Sequence, residues 1–108
     1  MNLKLIPTPE FKISVKKLSK RYALIAKDLK TLKEELENNP TAGVHLYNNC
    51  YKIRLKNSSV PTRKCGGFRV IYFLRQEEKI YLLAIYSKSD MENINENRLK
   101  EILKSNGL

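Results

Sequence analysis

The sequence is poor in the soft ligands that hold metals. His45 is the single histidine and Cys50 and Cys65 are the two cysteines, with no Cys-x-x-Cys spacing between them. Four soft ligands cannot be assembled, so no zinc site or other metal centre is expected. A long apolar run is missing too. Nothing approaches the ~20 residues of a spanning helix, and Met1 to Pro7 contains no apolar core of an export signal. The expectation is a cytoplasmic protein without a membrane partner, in which Cys50 and Cys65 stay reduced and serve packing. No motif for a small-molecule cofactor is present either.

Acidic residues are missing where it matters most. Between Glu37 and Glu77 there is none, while the same interval carries Lys52, Arg54, Lys56, Arg63, Lys64, Arg69 and Arg75. Surfaces usually intersperse both signs, because like charges on neighbouring strands repel. Segregation of this kind points to a polyanionic partner. The totals agree: 21 Lys and Arg against 11 Asp and Glu give a net charge of +10, and the pI is near 9.7. Such a field attracts polyanions and accelerates encounter with them.

What remains is an ordinary globular chain, 42% hydrophobic and 30% charged over 108 residues. That length supports one core, so residues 1–108 are expected to form a single domain without repeat or linker. Leu3 to Ile6 suits a short strand, and Thr8-Pro9-Glu10 has the N-cap, first-turn proline and first-turn acid of a helix start. Phe11, Val15, Leu18 and Tyr22 recur at helical spacing. After a break near Ser19 to Tyr22 the rhythm resumes with Ile25, Leu29, Leu32 and Leu36, until Asn38-Asn39-Pro40 stops it. These segments make a helical hairpin or one bent helix. The leucine stripe is too short for a coiled coil and suits packing on a sheet. On its outer side Lys27, Lys30 and Lys33 alternate with Asp28, Glu34, Glu35 and Glu37, as on a solvated helix face.

Residues 41–49 read as a loop, and from Cys50 the period becomes two. Tyr51, Ile53 and Leu55 point to the core, Lys52, Arg54 and Lys56 to the other side. The Gly66-Gly67 pair admits a second strand, Phe68 to Leu74. A polar link, Gln76-Glu77-Glu78, leads to a third, Lys79 to Tyr86, whose Ile80 to Ile85 run suits a strand covered on both faces. Ser89 and Glu92 match a capping box for a last helix carrying Leu99, Ile102 and Leu103. The order is β-α-α-β-β-β-α, an α+β fold in which an N-terminal strand and helical hairpin pack on a small, mainly antiparallel sheet, with a C-terminal helix.

Lys52, Arg54, Lys56, Arg63, Lys64 and Arg69 are therefore candidates for phosphate contact. Tyr47 and Tyr86 would add rings on which bases stack, if exposed; the core reading is the plainer one for tyrosines, and it is the one expected of Tyr51, Tyr72 and Tyr81. Metal-free RNA cleavage sets the 2′-OH against the adjacent phosphate, and needs proton removal, proton donation and charge stabilisation. His45 alone cannot fill both proton roles, and a lone loop histidine is more often structural.

The segments Cys50-Tyr51-Lys52-Ile53-Arg54-Leu55, Gly66-Gly67-Phe68-Arg69-Val70-Ile71-Tyr72 and Ile80 to Asp90 resemble the RelE/ParE toxin superfamily, nearest to its RelE and HigB-like branch. The resemblance implies a RelE-like toxin domain and a type II toxin that cleaves mRNA on the ribosome, against the 16S rRNA of the A site, thereby inhibiting translation. It also implies a cognate antitoxin protein as partner and a metal-independent endoribonuclease, an mRNA interferase, with no cofactor. By motif position Lys52, Arg54, Arg69 and Lys88 fall on the family's basic places, with Arg69 as phosphate clamp and Arg54 and Lys52 orienting substrate or handling protons. Where RelE has a further arginine and later a functional tyrosine, this chain has Ser89 and Asn95. Two alternatives remain open: a ParE-like inhibitor of DNA gyrase, and a non-catalytic RNA-binding module.

Overall fold

The computed structural model describes residues 3–60, 67–76 and 78–108. Thr8 starts the first helix as expected. Its Oγ1 accepts from the Phe11 N–H at 3.2 Å and also donates to the Leu82 carbonyl at 2.8 Å, so one hydroxyl both caps the helix and ties it to the sheet. Helix α1 is Pro9–Ser19 and α2 is Ile25–Asn38, two elements rather than one bent helix. Both lay their apolar stripes on one sheet face, where Phe11, Tyr22, Ile25, Leu32 and Leu36 are buried. Each such side chain contributes about 1.5–3 kcal/mol on leaving water, which outweighs any helix-only pairing of so short a stripe.

The sheet has five strands in the order β1-β5-β4-β3-β2. They are β1 Lys4–Pro7, β2 Val44–His45, β3 Cys50–Leu55, β4 Phe68–Arg75 and β5 Lys79–Ser87. Strand β1 runs parallel to β5, and the other pairings are antiparallel. The stretch 41–49, expected to be a loop throughout, contains the short edge strand β2. Two residues carry no legible alternation, and their pairing with Tyr51 and Lys52 is set by β3.

Strand β5 lies between β1 and β4 and is covered on both sides. A register shift opposite Ile71 and Tyr72 leaves Leu83 as an extra residue. Leu83 and Ala84 both join the core on the second face while Leu82 and Ile85 belong to the first. That bulge explains why the apolar run is continuous where strict alternation would be expected.

Helix α3, Glu96–Ser105, covers the second face with Leu99, Ile102 and Leu103 over Cys50, Ile71, Leu83, Ala84 and Tyr86. It begins later than expected. Asn95, not Ser89, is its N-cap, with Oδ1 accepting from the Asn97 and Arg98 N–H groups at 2.8 and 3.4 Å. Ser89 instead lies in the preceding turn, 2.8 Å from the Ser87 hydroxyl. Cys50 is fully buried, as expected of a packing residue. Cys65 and Gly66 lie outside the described residues. None of the described helices is long and apolar enough to cross a membrane.

Candidate nucleic-acid interface

Strand register determines which cations share a face. Arg54 pairs with Arg69 and Arg69 pairs with Tyr86, so these three form one row across β3, β4 and β5. Lys52 sits two residues along the same side of β3. At the other end the ladder continues past β5, because the Lys88 N–H donates to the Gly67 carbonyl at 3.0 Å. By the two-residue alternation of extended chain, Lys56 and Lys88 thus flank Gly67 on the face of Arg54. Helix α3 covers the centre of this face and leaves Arg54, Lys56 and Lys88 exposed. Lys52, Arg54, Lys56, Arg69 and Lys88 are brought together; Arg63 and Lys64 lie outside the described residues.

Gly67 makes this end of the sheet possible. Its φ is +73°, and a Cβ there would stand 2.6 Å from the Leu55 carbonyl, so only glycine lets β4 start this close to β3.

Arg69 differs from its neighbours in being 8% exposed. Its Nη1 donates to the Phe68 carbonyl at 3.3 Å. Desolvation, then the facing Arg54 charge, lowers its pKa, and Tyr86 partly offsets both. A guanidinium remains charged at neutral pH regardless. Lys52 is half-buried and its Nζ donates to Asn93 Oδ1 at 3.1 Å, which fastens the segment before α3 to the basic face.

Other candidates do not take their expected places. Tyr86 is only 5% exposed and packs in the second core, so it is not an open stacking platform. Its hydroxyl has no hydrogen-bond partner among the described residues. Burial pushes its pKa up, and the nearby Ile94 backbone, short of hydrogen-bond geometry, only partly pulls it back. Tyr47 is half-buried against the same core with its hydroxyl likewise enclosed and unpartnered. Burial, with Cys50 and Glu96 nearby, raises its pKa too. His45 pairs with Tyr51, not Lys52, and so belongs to the opposite face; its ring lies edge-on to Tyr51 with centroids 5.3 Å apart and Nε2 2.7 Å from the Asn48 carbonyl oxygen. That is a structural histidine. Among the described residues no group of His, Cys, Asp or Glu could hold a metal ion.

Two participants were missed from the sequence. Asn93 anchors Lys52, and Asn95 spends its side chain on the helix cap. For Asn95 a signal existed, since asparagine ahead of Glu96 is a common N-cap pattern; nothing local marks Asn93.

Residues 5–92 match the family of the ParE toxin of the type II toxin-antitoxin system parDE. The chain belongs to that family. A solved structure of the E. coli toxin RelE, an arginine-to-alanine double mutant in the free state, is similar in fold at 19% identity. Its TM-score is 0.61, with 97% of this chain and 98% of that chain covered. The protein is thus a type II toxin of the RelE/ParE superfamily, and a cognate antitoxin is its family partner.

Proposed function

We propose that this toxin is a ribosome-dependent endoribonuclease that cleaves mRNA in the A site and so stops translation. The observation that carries the reading is the opposed pair Arg54 and Arg69, joined on one face by Lys52, Lys56 and Lys88. Directly opposite like charges destabilise a sheet, and an RNA phosphate between them turns the repulsion into two charge-assisted contacts. Arg69, held in a low-exposure site, serves as the clamp on the phosphate as negative charge develops, because a donor fixed before the reaction needs no reorganisation during it. Arg54 and Lys52 orient the strand and Lys52 handles protons, with Lys56 and Lys88 drawing the flanking phosphates.

The test is cell-free translation with mapping of mRNA ends. Codon-placed cuts are expected with the wild type, and Arg69→Ala should reduce them about 100-fold or more, the scale seen when one charge-stabilising donor is lost. An unchanged rate in Arg69→Ala would overturn the assignment.

A second reading, poisoning of DNA gyrase, is favoured by one observation. Ser89 and Asn95 stand where the RelE resemblance has an arginine and a tyrosine, and Asn95 is committed to capping α3. Gyrase-dependent DNA breaks without mRNA cuts would establish it. RNA binding with neither outcome would leave a non-catalytic binding module.

A further inference from the structure

Beside the cationic row the structure has a cavity of about 400 Å³, lined among others by Tyr47, Lys52, Ile71, Tyr86, Asn93 and Glu96. Its size lies within the range of small-ligand sites, about 300–1,000 Å³. Two tyrosines of this one cavity carry buried hydroxyls without a hydrogen-bond partner among the described residues. Folded proteins satisfy the large majority of buried polar side-chain atoms, so a pair of orphans on one cavity calls for an occupant. Tyr86 makes the stronger case, being 95% removed from solvent in a region otherwise closed by Ile71 and Leu99. Lys52 gives one N–H to Asn93 and retains two. The acceptor in the lining is Glu96, near enough to Tyr47 to raise the pKa of its hydroxyl.

We infer that this cavity is a nucleobase pocket selective for guanine, receiving a base of the strand whose phosphates lie on Arg54 and Arg69. The inference rests on the RNA reading above and deepens it by naming the base. Guanine is singled out by donor and acceptor pattern. Its Watson–Crick edge places a carbonyl oxygen beside two adjacent N–H donors, so the carbonyl meets the hydroxyl and ammonium donors while the carboxylate of Glu96 accepts both N–H groups. Adenine and cytosine offer an amine beside an acceptor, which would face the carboxylate unfavourably, and uracil has a single N–H. The ion pair of Glu96 with Lys100, 3.6 Å long and exposed, holds the carboxylate only weakly and leaves it free to turn.

The probes are GMP, AMP, CMP and UMP added to the full-length toxin, read by NMR of the tyrosine rings. GMP should shift the Tyr47 and Tyr86 signals saturably, with the other three about tenfold weaker or more, as loss of a bidentate contact requires. Glu96→Gln should erase the preference. Tyr86→Phe should weaken GMP binding several-fold and leave the Tm of the free protein unchanged or higher, because an unpartnered hydroxyl adds nothing to that state. Equal affinity for all four nucleotides, or no shift at the two tyrosines, would overturn the pocket. So would a Tyr86→Phe protein with lowered Tm and unaltered GMP binding, the signature of a hydroxyl serving the fold through trapped water. Codon-placed cuts alongside any of these results would remove the pocket alone. Selective GMP binding with no cuts on the ribosome would remove the cleavage reading and keep the pocket.

Discussion

Tyr72 controls the connection after α2 through one hydroxyl, which donates to the Pro40 carbonyl at 2.8 Å and accepts from the Gly43 N–H at 3.2 Å. Its ring stacks on Tyr51 with centroids 5.4 Å apart and needs no hydroxyl for that. Tyr72→Phe therefore strands two backbone groups while keeping the packing. The expected loss is about 1–3 kcal/mol in urea unfolding, and an unchanged midpoint would mean that the connection holds without this bond. Cys50 supplies a pH dependence of definite sign. Burial raises its thiol pKa from 9.0 to about 11. The folded state thus keeps its proton where the unfolded state has lost it, so stability is complete below pH 9 and declines as pH rises towards 11. At about 1.4 kcal/mol per pKa unit the loss amounts to roughly 2–3 kcal/mol. Urea midpoints at pH 8 and pH 10.5 measure it, and Cys50→Ala should flatten the part that begins near pH 9. Tyr47, Tyr72 and Tyr86, all raised by burial, add losses of the same sign at still higher pH.

Helix α3 is the element on which the second core depends, and its start is defined by Asn95. Asn95→Ala should cost about 1 kcal/mol, within the usual range for a lost N-cap, whereas Ser89→Ala should leave stability nearly unchanged because Ser89 caps nothing. The same urea experiment separates the two. The reason Ser89 misled is instructive: Ser-x-x-Glu describes a local pattern, and the ladder of β5 extends its influence to Lys88, so the chain is still leaving the sheet at Ser89. Elements with long periodic faces were legible. The stripe of α2 and the alternation of Ile53 and Leu55 with Arg54 and Lys56 predict their burial correctly, since each repeats enough times to outweigh local noise. Strand β2 was not legible, because two residues have no period. The near-burial of Arg69 was hidden too, since alternation assigns a face but not how deeply neighbouring strands enclose it. His45 was placed near the cations by sequence proximity, and only the pairing with Tyr51 shows it on the other side.

At the scale of the whole molecule the decisive quantity is where the charge of +10 resides. On α2, lysines such as Lys30 and Lys33 share an exposed surface with Glu34 and Glu37, so their field is largely cancelled nearby. On the sheet face Lys52, Arg54, Lys56, Arg69 and Lys88 act in one direction. Binding of single-stranded RNA there releases counterions in proportion to the phosphates neutralised, with log affinity falling by about 0.7 per phosphate for each unit of log salt. If all five cations take part, the slope should be about 3.5. Arg54→Gln should reduce it by about 0.7, while Lys30→Gln, which lowers net charge equally, should leave it unchanged. That contrast separates a localised face from a diffuse positive field, because a diffuse field weakens alike in both variants. A flat salt response in the wild type would sink the electrostatic basis of the interface. Equal slopes in Arg54→Gln and Lys30→Gln would instead move the RNA off the sheet and onto the general surface, taking the opposed arginine pair with it as the functional feature.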